Sequence, residues 1–398
     1  MPRSPTFFVI LQIVFACLEK VGDLKPLLGR DRNTIRNPTL IFTFTFLLDP
    51  MSYFRPAIDA MTGYVPGEQP KSGIKIIKLN TNENPYPPSP KAIAALQNID
   101  PDALRRYPDP FAHEFCQAVS DVLGVPKDWV IVGNGSDDVL NILIRAAAEG
   151  RDRKVVYPMP TYVLYRTLAN MQPAEIVEVP YGENFQLPIA ELVAANGAVT
   201  FIASPNSPSG HIVPLDDLRK LAQQVSGIVA IDEAYADFAE YSALPLVQEF
   251  DNVIVLRTLS KGYSLAGLRL GFGVANPSLL SGLFKVKDSY NIDAVAIAVG
   301  TAAMRDQDYK SANAEKVKTS RTKLTHDLKN LGFVVLESHG NFVLATPPQG
   351  NAEEIYFKLK ESGILVRYFN QTGLADKLRI TVGTDEQNQA LIDFLSTL

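Results

Sequence analysis

The chain has 398 residues, 46% hydrophobic and 20% charged, which is ordinary for a globular protein. It is long enough for a large domain plus a smaller one, since single cores stop growing at roughly 250–300 residues. The formal net charge of −5 and the absence of any Lys/Arg run exclude the electrostatic footprint of a nucleic-acid-binding protein. Only Cys17 and Cys116 occur, which excludes a disulfide framework and paired metal-ligand spacing; the expectation is no metal site and a reducing cytoplasm.

Two apolar runs open the chain, Phe7–Cys17 behind Arg3 and Thr39–Leu48. Both are too short to span a bilayer as helices, which takes roughly 20 apolar residues. Globular patterning starts at Met51. We expect residues 1–50 to lie outside any folded domain and Met51 to be the true start, with an export signal ending at Cys17 as the rival reading. The Pro-rich stretch Asn84–Pro90 reads as an ordered loop into the large domain.

From Trp129 onward, short β-branched runs alternate with amphipathic helical stretches. Strands are expected at Trp129–Val132, Lys154–Tyr157, Glu175–Val179, Val199–Ala203, Ile228–Asp232, Asn252–Leu256 and Leu270–Val274. Helices are expected between several of them, at Asp137–Ala148, Tyr162–Ala169 and Leu215–Val225. Continuous apolar strands alternating with helices predict an α/β fold, a largely parallel sheet covered on both faces, with ligands at the carboxyl ends of its strands. After Asn291 the pattern changes. A charged helical stretch, Tyr309–Leu331, precedes strands near Phe333–Leu336, Phe342–Ala345, Ile364–Arg367 and Leu378–Val382, with helices near Ala352–Glu361 and Asp385–Thr397. The predicted organisation is a large domain over 81–308 and a smaller α+β domain over 309–398, the N-terminal segment over 51–80 joining that smaller domain, which thus draws on both chain ends.

Polar motifs follow the predicted strands. Ser260-Lys261-Gly262 stands shortly after Asn252–Leu256, with Arg269 downstream. A lysine there reads first as a strand-end residue reaching solvent. Beside a hydroxyl and a guanidinium, however, it gains a coherent chemistry. A desolvated amine forms an imine with an aldehyde, while the other two groups hold a phosphate dianion. Asp232 ends the run Ile228–Ile231, with Tyr235 close behind; alone it reads as a helix cap. Asn206, in Ser204-Pro205-Asn206-Ser207-Pro208-Ser209-Gly210, reads first as a turn residue. Gly133-Asn134-Gly135-Ser136-Asp137 is a Gly-rich strand-to-helix turn of the kind that binds phosphate through backbone N–H groups. Tyr162 follows Pro158–Thr161 and reads alone as a packing residue.

Together these motifs resemble the aspartate-aminotransferase-like enzymes of fold type I, which use pyridoxal phosphate (PLP), and the resemblance runs from about Met51 to Leu398. It implies a PLP-binding large domain in which Lys261 is the Schiff-base lysine and Asp232 pairs with the pyridine nitrogen. Asn206 and Tyr235 would meet the phenolic oxygen, and Tyr162 the ring face. Ser260, Arg269 and the turn Gly135, Ser136 and Asp137 would hold the phosphate. Narrower features are similar to the histidinol-phosphate aminotransferases: Lys78–Tyr86, which contains Asn82, then Arg106-Tyr107-Pro108-Asp109, Gly363–Arg367 and Arg379–Thr384. By that likeness Tyr64 and Asn82 approach the substrate, Arg367 and Arg379 grip its phosphate, and Tyr107 reaches the partner subunit's cofactor in a homodimer.

The implied reaction is transfer of an amino group from histidinol phosphate to 2-oxoglutarate, forming glutamate, in a cytoplasmic enzyme without nucleic-acid or membrane partners. Rival outputs on the same fold are aromatic or broad-specificity transamination and decarboxylation of threonine phosphate. Three places depart from the commoner pattern: Ser204 to Gly210, Asp138, and Gly262-Tyr263-Ser264. None removes a catalytic atom.

Overall fold

Continuous apolar runs place the sheet that positions the polar motifs. The computed structural model describes residues 52–61, 63 and 76–398. The two apolar N-terminal runs, the Met51 start and Tyr64 lie outside the described residues. Contacts divide the chain after Asp59. In the first unit, Ser52 Oγ donates to Asp59 Oδ1 at 2.8 Å. The second unit, Ala60–Leu398, carries the sheets.

Strand β1 is Ile77–Lys78. Strands β2 (Val130–Gly133), β3 (Val155–Met159), β4 (Ile176–Pro180), β5 (Val199–Ala203), β6 (Ile228–Asp232), β7 (Val253–Thr258) and β8 (Gly271–Ala275) form a seven-stranded sheet. Its order is β2-β8-β7-β6-β5-β3-β4. Strands β3 to β7 pair in parallel. Strand β8 alone is reversed, antiparallel to β2 and β7. The reversal has a local cause, because a helical crossover is needed to join parallel neighbours. The link from β7 to β8 contains only one short 3₁₀ turn, Ala266–Leu268, so the chain doubles back. That link carries Ser260, Lys261 and Arg269 over the sheet's edge.

Helices cover both faces. Along β6, Val229 and Ile231 join one apolar cluster and Ala230 the other. On β7, Val253 and Val255 face the first while Ile254 and Leu256 face the second. The first cluster also takes Phe115 and Val119 of helix α1 (His113–Leu123). The second takes Val139, Leu140 and Leu143 of α2 (Ser136–Ala147) and Tyr165 and Leu168 of α3 (Leu164–Met171). The strands are buried on both sides, which is why they read as unbroken apolar runs rather than alternating ones.

A third cluster lies under the C-terminal elements. Strands β9 (Val334–Val335), β10 (Phe342–Thr346), β12 (Arg367–Tyr368) and β13 (Leu378–Thr381) make an antiparallel sheet in the order β12-β13-β10-β9. Strand β11 (Ile364–Leu365) pairs instead with β1. The expected single strand Ile364–Arg367 is therefore two strands, and the chain changes sheets at the buried Val366. The charged helix α4 runs from Gln307 to Asn330, and α5 covers Ala352–Glu361 as expected. The last helix, α6 (Asp385–Leu395), starts from a capping box in which Thr384 and Gln387 satisfy each other's backbone N–H groups. The Asn84–Pro90 loop ends where Ser89 caps the helix that begins at Pro90. Among the described residues, no helix is long and apolar enough to cross a membrane.

One glycine ties the sheet to the turn after β2. A Cβ on Gly271 would stand 2.2 Å from Ser136 N and 2.6 Å from Gly135 C, which are backbone atoms that a rotamer change cannot move. Gly271→Ala is expected to destabilise the protein by about 1–3 kcal/mol, the range of core overpacking, in a urea unfolding titration. A midpoint equal to that of the parent would contradict this close approach.

Candidate active site

The carboxyl ends of β2, β3, β5, β6 and β7 and the start of β8 meet at one edge of the large sheet, the position predicted for ligands. A cavity of about 670 Å³ opens there, walled on its other side by the segment after β1 and by the C-terminal sheet.

Asp232 is the last residue of β6, flanked in register by Ala203 of β5 and Leu256 of β7. It is 5% exposed, yet it lines the cavity. Its Oδ1 accepts from Ala234 N at 3.1 Å and its Oδ2 from Tyr165 Oη at 2.8 Å. Burial raises its pKa to about 6; the two hydrogen bonds oppose the rise, and the nearby Asp137 and Glu233 charges add to it. Tyr165 is held in turn by stacking on Phe201, with ring centroids 4.8 Å apart. Desolvation and the Asp232 charge push its phenol well above the ordinary range, so it remains a donor.

Next to this carboxylate stand the lysine and a cluster of phosphate-type donors. Lys261 Nζ donates to Thr81 O at 3.1 Å and lies 5.7 Å from the centroid of the Tyr235 ring. The lysine loop is fixed from two sides. Asn84 Nδ2 donates to Lys261 O at 3.1 Å, and a Cβ on Gly262 would come 2.2 Å from Asp237 Oδ2. Ser260 Oγ accepts from Thr258 Oγ1 at 3.0 Å and from Arg269 Nη1 at 3.3 Å. Arg269 Nη2 donates to Asp137 Oδ2 at 3.1 Å. Gly135, with φ of 80°, precedes α2 in a conformation that glycine favours, and a Cβ there would meet the Arg269 guanidinium at 2.5 Å. Ser136 begins that twelve-residue helix, so its N-terminal N–H groups and dipole face the same corner. Asp138 is used elsewhere: its Oδ2 accepts from Asn134 N and from Asn291 Nδ2.

Tyr162 lines the cavity and donates to Asp137 Oδ1 at 3.4 Å. Tyr235 Oη accepts from Asn82 Nδ2 at 2.9 Å, leaving its own proton available. Asn82 is buried with φ of 55°, and Thr381 and Asn341 bind its backbone N–H and carbonyl. On the far wall Arg367 and Arg379 face each other in register across β12 and β13. Arg379 donates to Ser207 Oγ at 3.0 Å and to Asn80 O at 2.9 Å.

Two expected site residues stand apart from this assembly. Asn206 is fully buried behind the wall. Its Nδ2 donates to Pro160 O at 3.0 Å and Ser209 Oγ at 2.7 Å, and its Oδ1 accepts from Thr161 Oγ1 at 2.7 Å. Both amide hydrogens are thus satisfied by the wall itself, and Thr161 fronts the cavity. Tyr107 is 81% exposed and stacks on Tyr290 at 4.5 Å, away from the cavity of its own chain.

Sequence reasoning missed Tyr165, Thr81, Thr161 and Phe369. Tyr165 reads as one more apolar-face residue of a helix, and Thr81 contributes only a carbonyl, so neither carries a side-chain signal. Phe369 had only its place in the chain: it stands two residues after Arg367, just beyond the end of β12.

A family model described as aminotransferase class I and II matches residues 74–395. Histidinol-phosphate aminotransferase 1 of Trichormus variabilis is 69% identical over 347 residues, covering 87% of this chain and 99% of that protein. The histidinol-phosphate aminotransferase of Rhodopirellula baltica is 46% identical, covering 85% and 93%. The crystal structure of histidinol-phosphate aminotransferase from Sinorhizobium meliloti in complex with pyridoxal-5'-phosphate superposes with a TM-score of 0.80 at 26% identity, over 88% of this chain and 99% of that one. The chain belongs to the class I and II aminotransferase family, and within it groups with the histidinol-phosphate aminotransferases.

Proposed function

We propose that this cavity catalyses PLP-dependent amino transfer from L-histidinol phosphate to 2-oxoglutarate, giving imidazole-acetol phosphate and L-glutamate in histidine biosynthesis. One observation carries the reading. A lysine amine, a desolvated carboxylate and a phosphate-type donor cluster stand at one end of a cavity whose other end holds two guanidiniums in register.

The residues fit the cofactor. Asp232 is buried with its carboxyl disfavoured as an anion, a penalty that a cation brought beside it would offset. A protonated pyridine nitrogen is such a cation. Ser260, Arg269 and the N-terminus of α2 suit a phosphate dianion. Lys261 supplies the amine. Of the two donors expected at the phenolic oxygen, Tyr235 lines the cavity, and Asn206 stands behind it through Thr161.

When bound, PLP supplies an aldehyde for the substrate amine and an electron sink for the carbon that bears it. The chain's own groups do the rest. Asp232 would keep the proton on the ring nitrogen, with Tyr165 and Ala234 N fixing its carboxylate. Lys261, once its amine is free, takes the proton from the substrate's amine-bearing carbon; Thr81 O keeps the amine on that side of the cavity. Arg367 and Arg379 grip the substrate phosphate, and Arg379 takes a carboxylate of 2-oxoglutarate in the second half of the cycle. Asn82 orients the Tyr235 hydroxyl.

The same reading assigns residues 81–308 to the cofactor domain, and 309–398 with 51–80 to the small domain, in support of which β1 pairs with β11. It makes the enzyme a cytoplasmic homodimer in which Tyr107 and Tyr64 serve the partner's site or the substrate phosphate. The exposure of Tyr107 supports a role outside its own cavity.

Lys261→Ala is expected to abolish turnover while leaving the fold intact, and substantial residual transamination would refute its role. In a single half-reaction without oxo-acid, the PLP-loaded protein should convert to the pyridoxamine form faster with histidinol phosphate than with phenylalanine or aspartate. Reaction with either amino acid but not with histidinol phosphate would discard the substrate, and release of carbon dioxide would favour a decarboxylase.

The Asp232 shift gives a pH test on the cofactor-free protein. Its folded pKa is raised from 3.8 to about 6, so its contribution to stability is fully present below about pH 4 and is lost as pH rises through 6. Between pH 4 and 7 the stability difference should move in favour of Asp232→Asn by roughly 2 kcal/mol, and saturating PLP should remove that trend. Parallel stability–pH curves for parent and variant would contradict the desolvated carboxylate.

A further inference from the structure

Arg367 and Arg379 are direct cross-strand partners, so their side chains leave the sheet on one face, an arrangement in which like charges repel. Phe369 stands two residues after Arg367 and lines the same cavity. Its ring centroid is 5.4 Å from Arg367 Cζ and 5.5 Å from Arg379 Cζ. One ring thus serves both guanidiniums, and Arg379 also lies 5.5 Å from the Phe342 ring. An aromatic face carries the negative part of its quadrupole, so it attracts both cations without neutralising either. A guanidinium stacked on a ring keeps its N–H edge directed outward for bidentate donation.

We propose that Phe369 is a specificity-determining residue: its ring, shared by Arg367 and Arg379, keeps two like charges adjacent as a clamp for a dianion. The clamp selects amines bearing a phosphate monoester over amines with one negative charge or none. This deepens the reading above and rests on its assignment of the two arginines to the substrate phosphate. A flat aliphatic wall at 369 would leave the arginines to repel each other, so the clamp would open when empty and pay that reorganisation on binding.

The test is calorimetric binding of inorganic phosphate to the PLP-loaded protein, in which the Ser260 and Arg269 site is already filled. Phe369→Leu removes the ring face and keeps an apolar side chain, whereas Phe369→Tyr restores the face. The leucine variant is expected to bind phosphate on the order of ten-fold more weakly, equivalent to roughly 1.4 kcal/mol, and the tyrosine variant within about two-fold of the parent. In the half-reaction, the leucine variant should lose discrimination between histidinol phosphate and histidinol, on the order of ten-fold in the ratio of their rates. Equal phosphate binding by parent and leucine variant, equal weakening by both variants, or no phosphate binding by the parent would each overturn the proposal. Ring-dependent phosphate binding in a parent protein that does not react with histidinol phosphate would overturn the substrate assignment and leave the clamp standing.

Discussion

Everything at this site is arranged around one carboxylate that the fold has taken out of water. Asp232 stands at the end of a strand in the interior of the sheet, and its burial raises its pKa to about 6. Such a group is expensive unless something in the cavity matches it. The surrounding structure limits the expense without removing it. Tyr165 donates from α3, Ala234 donates from the backbone, and the aromatic stack on Phe201 keeps Tyr165 in place. The remaining mismatch faces the cavity, where a cationic ring nitrogen would satisfy it. Binding of the cofactor and stability of the fold are therefore coupled through this one side chain.

The reversed strand β8 is the second constraint. Because the link from β7 doubles back instead of crossing over, Lys261 on its outward arm and Arg269 on its return arm reach the same edge as Asp232. The two glycines that permit close approach, Gly135 and Gly271, stand on either side of this link and the turn after β2. The other end of the cavity belongs to the C-terminal sheet, and the segment after β1 joins the two. Leu79 N donates to Leu365 O, Thr381 N donates to Leu79 O, and Thr81 O then receives the lysine. Asn82, in a left-handed conformation with its partners on Thr381 and Asn341, fixes that segment against Tyr235. The Lys261 amine, the buried Asp232 carboxylate and the Arg367–Arg379 pair thus share one frame.

Much of this was legible in the sequence because strands buried on both faces read as apolar runs. Val199–Ala203 and Ile228–Asp232 appear where those runs stand, and the other large-sheet strands are displaced by one or two residues. The polar motifs were legible because each follows a strand. The break in Ile364–Arg367 was not, since one apolar run cannot show which sheet each half will join. Nor could the sequence show that Asn206 would spend its amide hydrogens on Pro160 and Ser209, which depends on a turn closing over it. Tyr165 and Thr81 act through a buried hydroxyl and a backbone carbonyl, and neither leaves a mark in a linear pattern.

The central claim is that one cavity holds the cofactor at the end of β6 and the substrate's phosphate at the β12–β13 pair. A crystal structure of Lys261→Ala loaded with PLP and histidinol phosphate tests it most directly. The account predicts the substrate phosphate within hydrogen-bonding distance of both Arg367 and Arg379, with the ring nitrogen beside Asp232. A substrate phosphate bound elsewhere, or a ring nitrogen away from Asp232, would contradict it.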